Sequence, residues 1–331
     1  MRCVSVENLL KRKSFIIIII TVLGPLLFLI YINDLPDVCD NFSKLFLFAD
    51  DAKIYSYIKN AYDSMCLQHN INKLHQWTQN WELVLNIDKC AVCRFGRNIA
   101  IKSDYYVSDI KLQEVHTIKD LGVTFDEQLK FSDHCYDKIK KAYSMLGLIK
   151  RNFNLLCRDS FVMLYKSMVR SHLEYANAVW NPHREGLIKD LERVQMRATK
   201  LVSELKKKCY KERLMAFKLP TLKYRRIRGD MIEVYNLLTN TYDDNTVQLD
   251  INSDTRTRGH TKKLVVKRCR YIVRKYSFSN RITNIWNSLP DEIISAPTVN
   301  TFKNRLDRFW AEQEVFYNFK ADITGNKGVS L

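Results

Sequence analysis

Glycine and proline are scarce, at nine and six in 331 residues. A collagen-like chain or a turn-rich low-complexity chain is therefore excluded. Apolar residues are not short, at 46% against 27% charged. Disorder by composition is excluded too, and the chain can bury the cores of two or three domains. Paired cysteine spacings are missing: the nine cysteines are odd in number and irregularly placed. A secreted disulfide framework does not fit that pattern. Cys90 and Cys93 alone form a CxxC pair. With no second pair at zinc-ribbon spacing, they read as two thiols on a strand.

Acidic residues are absent from one long stretch. Residues 255–281 hold ten Lys or Arg and no Asp or Glu, while residues 193–230 hold thirteen against three. Residues 1–127 net −1, so the whole excess behind the overall +17 lies beyond them. Basic patches of this density favour a polyanionic partner. The plainer alternative is a surface that is basic for solubility alone. Tyr271, Tyr276 and Phe278 are interleaved with Arg270, Arg274 and Lys275. Cations neutralise phosphates and exposed rings stack on bases, although aromatic residues at such spacing also serve cores.

Long uncharged runs are rare, with one exception. Residues 15–32 contain no charged side chain and follow Lys11, Arg12 and Lys13. By length this is a borderline membrane span with the flank of a signal anchor. Gly24-Pro25 and the β-branched run from Ile16 to Ile20 argue instead for a segment buried in a core. Both readings stay open on hydropathy alone.

Mixed strands and helices are expected over residues 1–126. Leu45-Phe46-Leu47-Phe48-Ala49 is a continuous apolar run that stops at Asp50-Asp51, the pattern of a buried strand with a polar tip. Leu67, Ile71, Leu74, Trp77 and Trp81 mark one face of a helix. Further strands are predicted at 83–85, 90–95 and 121–125. From residue 131 to about 205 the periodicity turns helical, with stripes at Phe131, Cys135, Ile139, Ala142, Leu146 and Ile149, at Phe161, Leu164, Tyr165 and Met168, and at Leu187, Leu191, Val194, Ala198 and Leu201. The fold class is α+β: a small, mostly antiparallel sheet with helices, a largely helical region, then a basic C-terminal region. Five stretches are expected: 1–20 as an unrelated or degraded segment, 21–126, 127–205, 206–315, and a tail at 316–331.

Two adjacent carboxylates at the end of an apolar strand repel each other unless something positive holds them. Hard divalent cations with oxygen ligands suit them, Mg²⁺ above all. A tetrapeptide such as Phe48-Ala49-Asp50-Asp51 is weak by itself, because acidic turns after strands are common.

Its surroundings carry more. Residues 22–36, from Val22-Leu23-Gly24-Pro25 to Asn33-Asp34-Leu35-Pro36, resemble the stretch after palm motif B in the reverse transcriptases of non-LTR retrotransposons. Leu47-Phe48-Ala49-Asp50-Asp51-Ala52-Lys53-Ile54-Tyr55 resembles motif C, and Trp77, Trp81, Asn86 and Lys89 follow at motif D distances. Lys119-Asp120-Leu121-Gly122-Val123 is similar to the strand leading to the thumb. Leu173-Glu174-Tyr175-Ala176 with Val179-Trp180, Leu191-Glu192-Arg193-Val194-Gln195 with Arg197-Ala198, and Trp286-Asn287-Ser288-Leu289-Pro290 resemble downstream blocks of the same family.

The resemblance implies a partial polymerase palm, a helical thumb, and RNA-directed DNA synthesis by nucleotidyl transfer with Mg²⁺. It makes Asp50 and Asp51 the catalytic and metal-binding pair. Lys89 becomes the proton donor to the departing pyrophosphate, with a solvated strand-end lysine as the alternative. RNA or an RNA–DNA hybrid is the implied partner, with Lys206, Lys207, Lys208, Arg225, Arg226, Arg228, Arg268, Arg270, Arg274 and Lys275 as its contacts. Deoxynucleoside triphosphates would bind only if the palm is completed. The family's motif A aspartate and its fingers are not found in these residues, and Ile19, Ile20 and Thr21 stand where motif B reads Gln-Gly-Ser. A β-branched side chain there would obstruct the backbone's approach to a nucleotide. The chain is therefore expected to be inactive alone. A catalytically dead RNA-binding remnant and a membrane-anchored protein are the alternatives, and a nuclear or cytoplasmic location is favoured over a membrane one.

Overall fold

The computed structural model describes residues 23–96, 102–153, 155–239, 241–242, 247–252 and 259–324. The expectations for residues 1–20 and for Thr21 lie outside them. The chain divides into two compact units, Met1–Leu129 and Lys130–Leu331.

The first unit begins with helix α1, Gly24–Tyr31, which carries Pro25 in its first turn, where the missing N–H is not needed. Strand β1, Ser43–Phe48, pairs antiparallel with β2, Asp51–Ser56, and Phe48 opposite Asp51 closes the ladder. Ala49 and Asp50 are left as a two-residue turn. Helix α2, Ala61–Asn80, starts at a capping box: Asn60 accepts from the Asp63 N–H at 2.9 Å, and Asp63 accepts from the Asn60 N–H at 3.2 Å. Its stripe of Leu67, Ile71, Leu74 and Trp77 is buried against Ile54 and Ala52 of β2. Trp81, the fifth expected member, caps the helix at 42% exposure and meets the Tyr31 ring edge-on at 5.1 Å.

The remaining strands are short. Strand β3, Ala91–Val92, pairs parallel with β6, Gln113–Glu114. Strands β4, Tyr106–Val107, and β5, Ile110–Lys111, form a hairpin, as do β7, Thr117–Asp120, and β8, Val123–Asp126. Among the described residues the strands thus form four two-stranded ladders, three of them antiparallel. Residues 83–85, predicted as a strand, lie outside these ladders, and of 90–95 only Ala91 and Val92 pair. The apolar β1 run, expected to be buried, is half-buried on one face only, at Leu45 and Leu47. Phe46 and Phe48 stand 53% and 59% exposed, because a two-stranded ladder has a single covered side.

The second unit is helical. Helix α3, Ser132–Asn152, buries Cys135, Ile139, Ala142, Leu146 and Ile149 as its spacing predicts. Helix α4, Arg158–Leu164, runs on into a wider π-type turn over Tyr165–Arg170. The wider turn changes the buried phase to Phe161, Tyr165, Val169 and Leu173, a spacing of four, and Leu164 and Met168 are only half-buried. Helix α5, Glu185–Ala198, buries Leu187, Leu191, Val194 and Ala198, and with them Glu192 and Gln195. Helices α6, Tyr210–Phe217, α7, Leu222–Leu238, and α8, Val299–Phe309, follow.

Glu192 is held by the Tyr210 hydroxyl at 2.5 Å and the Leu222 N–H at 3.0 Å, and Gln195 accepts from the Tyr165 hydroxyl at 2.6 Å. Hydrogen bonds of this kind let a helix bury polar groups in phase with its apolar ones. Trp286 is fully buried, and Asn287 pairs both the N–H and the carbonyl of Leu264 at 2.8 Å. That accounts for the Trp286-Asn287 block: the ring fills the core and the amide substitutes for a strand partner.

His134 is 1% exposed beside the Trp180 ring. Burial, helped by the Lys138 ammonium, lowers its pKa to about 4 from 6.5. Above pH 6.5 the group is neutral folded or unfolded and contributes no pH dependence. Between pH 6.5 and about 4 the unfolded chain binds a proton there that the folded chain refuses. Stability should therefore fall with pH across that window by about 1.4 kcal/mol per unit. In chemical unfolding at pH 7, 6 and 5, His134→Gln should lack that increment, and an unaltered pH dependence would refute the assignment.

Candidate active site and nucleic-acid interface

In the first unit the β1–β2 hairpin carries Asp50 in its turn and Asp51 at the first position of β2. A two-residue connection forces unusual backbone angles, and Ala49 takes a φ of 50°. For an L-residue that conformation costs about 1–2 kcal/mol. Both carboxylates are half-buried. Behind the turn lies a cavity of about 30 Å³, lined by Leu47, Ala49, Asp50, Ala52, Trp77 and Thr78 among others. It is large enough for a water or two but not for a nucleotide. Any reacting group must therefore approach the pair from the open side of the hairpin.

The donor set is oxygen only, which fits a hard divalent cation such as Mg²⁺ bound through one or two carboxylates plus phosphates and water. Among the described residues no three His, Cys, Asp or Glu side chains gather in a cation-binding cluster. The nearby carboxylates in sequence are otherwise placed. Asp34 accepts from the Trp77 indole at 3.2 Å, Asp40 pairs with Lys73 at 2.8 Å, and Asp37 is exposed on a short turn. Lys89 is exposed at the end of a single turn, Ile87–Lys89. Cys90 and Cys93 are both buried, and burial pushes the Cys93 thiol's pKa up, so the pair is unsuited to ligation. Lys53, two residues beyond Asp51, forms an ion pair with Asp120 of β7. Its two members stand in the stretches 47–55 and 119–123, and nothing in the sequence pairs them.

In the second unit the ten basic residues divide. Lys206, Lys207 and Lys208 are exposed just before α6, and Arg268, Arg270, Arg274 and Lys275 are exposed on a stretch where Tyr271 stands 61% free. Tyr276 has one face covered by His183, with ring centroids 4.2 Å apart and nearly parallel. Arg225, Arg226 and Arg228 sit differently. Arg225 forms a forked pair with Glu174, and Arg228 forms one with Asp307. Arg226 is 1% exposed, with burial lowering its pKa and Glu192 offsetting the loss. Its guanidinium serves the interior and presents nothing to a phosphate. Phe278, interleaved with the cations in sequence, packs against the core.

Among the described residues no helix is long and apolar enough to cross a membrane; the early part of the 15–32 stretch lies outside them. Residues 21–125 match the family described as reverse transcriptase (RNA-dependent DNA polymerase). The chain is 24% identical, over 194 residues, to a probable RNA-directed DNA polymerase from the transposon X-element of Drosophila melanogaster, covering 55% of this chain and 21% of the relative. It is 24% identical over 197 residues to the polymerase of the mobile element jockey from the same species, again covering 55% and 21%. Against the jockey polymerase of Drosophila funebris it is 26% identical over 172 residues, covering 48% and 19%. The chain thus spans about a fifth of the length of these curated relatives. No solved structure matches. Residues 21–125, which hold the acidic hairpin and its flanking motifs, thus match the reverse transcriptase family, and the chain is similar to the RNA-directed DNA polymerases of these Drosophila mobile elements.

Proposed function

We propose that this chain supplies the acidic palm hairpin and a nucleic-acid-holding region to RNA-directed DNA synthesis, and that it does not extend a primer alone. The observation that carries the reading is the Asp50-Asp51 turn at the tip of a two-stranded hairpin, inside the segment that matches the family. Asp50 and Asp51 would hold Mg²⁺, and the bound ion would activate the attacking 3′-hydroxyl and neutralise the leaving pyrophosphate. The hairpin fixes where the two carboxylates stand, one in its turn and one at the start of β2. Lys89, on its exposed turn, is the candidate proton donor to the pyrophosphate. RNA or an RNA–DNA hybrid would lie on the exposed cations of the second unit; deoxynucleoside triphosphates bind only where the palm is complete.

Two adjacent carboxylates are a partial ligand set for a pair of metal ions. The purified chain should therefore give no extension of a DNA primer on an RNA template with Mg²⁺ or Mn²⁺. Template-dependent extension that vanishes in Asp50→Asn would overturn the second half of the proposal. The exposed basic segment separately favours RNA binding without chemistry, which filter binding under the same conditions would detect.

A further inference from the structure

We propose that Asp120 is a positioning residue for the acidic pair, acting through Lys53. The inference rests on the reading of Asp50 and Asp51 given above. Along β2 the burial alternates: Ala52 and Ile54 face the core, while Asp51, Lys53 and Tyr55 face outward. Residues two apart on one strand face stand about 7 Å apart. A lysine stem spans that distance, so an unrestrained Lys53 could fold back onto the Asp51 carboxylate. Such a contact would neutralise and cover one of the two groups on which a cation depends.

The structure shows the ammonium drawn elsewhere. Lys53 pairs with Asp120, the last ladder residue of β7, and the two side chains are only 18% and 25% exposed. Asp120 is itself well fixed. It opposes Val123 across a two-residue turn in which Leu121 and Gly122 both take positive φ, 42° and 79°. That is the tight hairpin geometry a Leu-Gly turn can reach only with the glycine in second place. Asp120 thus anchors Lys53 at one point of the sheet face and leaves Asp51 open.

The test measures Mn²⁺ binding to the full chain from the electron paramagnetic resonance signal of the free ion. The unsubstituted chain should bind an ion that the double variant Asp50→Asn/Asp51→Asn does not. Asp120→Ala, with Asp120→Asn as a second variant should the first fail to fold, should weaken binding by about three- to tenfold. That range is what an ammonium about 4 Å from a carboxylate is worth in a water-like medium, where it competes with the ion for that group. Lys53→Ala should bind at least as tightly as the unsubstituted chain. Adding Lys53→Ala to the Asp120 variant should return affinity to the starting value, and this rescue marks an effect routed through Lys53. A loss that persists in the combined variant would make Asp120 a ligand or a structural residue and overturn the proposal, as would an Asp120 variant that binds normally. Mn²⁺ binding indifferent to Asp50 and Asp51 would instead overturn the metal reading of the pair, and this inference with it.

Discussion

Replacing Asp230 by Ala should destabilise the unit spanning residues 130–331 by about 3–5 kcal/mol, the range for breaking one side of a buried ion pair. The Asp230 side chain is 5% exposed and that of Arg281 is 13% exposed. The guanidinium approaches both carboxylate oxygens at 2.9 Å, the forked geometry that makes such pairs strong. The same carboxylate accepts from Asn181 at 3.1 Å, and Arg281 also donates to the Ala178 carbonyl at 2.6 Å. Helix α7 comes close enough here that a Cβ at Gly229 would meet Asn177 at 3.1 Å. One removed carboxylate therefore leaves a largely covered cation and a half-buried amide without their common partner. Burial alone pushes the Asp230 carboxyl's pKa up, so its ionised form depends on these partners. Urea unfolding of the full chain would read the loss through Trp180, Trp286 and Trp310, all buried in this unit. With a slope of about 1–3 kcal/mol per molar urea, the midpoint should drop by at least about 1 M. Removing both charges, as Asp230→Ala/Arg281→Met, should be less damaging than the sum of the single changes. A cost below about 1 kcal/mol for Asp230→Ala would mean the pair is only a surface contact.

Much of the architecture was legible because apolar spacing is a direct readout of a buried face. The stripes on α2, α3 and α5 lie where 3.6-residue periodicity puts them. The stripe from Phe161 was displaced because the chain widens to a π-type turn at Tyr165–Arg170, which no apolar count announces. Adjacent charges also misled. Arg225, Arg226 and Arg228 are neighbours in sequence, but successive residues on a helix turn by about 100°, so they point in different directions. One enters the core and two find acids. Glu192 and Gln195 lie outside the apolar stripe of α5, directly after Leu191 and Val194, and yet both are buried. Their burial depends on Tyr165, Tyr210 and the start of α7, which come from distant parts of the chain. At the candidate site, the acidic pair at the end of an apolar run was plain. Which aspartate occupies the turn and which begins β2 followed only from the register. The Lys53–Asp120 pair joins residues 67 positions apart, a separation at which sequence carries no pairing signal.

Replacing Arg268, Arg270, Arg274 and Lys275 together by Ala should flatten the salt dependence of single-stranded RNA binding by up to about three units in the log–log slope. Each phosphate neutralised on a single strand contributes about 0.7 to that slope, because it releases condensed counterions. All four side chains are exposed, and residues 255–281 contain no acid to compete for them. In this they differ from Arg225 and Arg228, whose charges are already matched by Glu174 and Asp307. Changing that pair should move stability more than the salt slope. Asp50→Asn should leave the slope unchanged, since it lies in the other unit and repels phosphate. The rings add a second, separable contribution. Tyr271 is open for stacking, whereas Tyr276 already has His183 on one face. Base–aromatic stacking is worth about 1–3 kcal/mol per base and tolerates any sequence. Tyr271→Ala should therefore weaken binding to all homopolymers alike without touching the slope, and strong discrimination between them would mean that the ring reads base edges instead. If the quadruple variant keeps its fold by circular dichroism and its slope matches that of the unsubstituted chain, these cations only solubilise the surface. The nucleic-acid interface would then have to be sought at Lys206, Lys207 and Lys208.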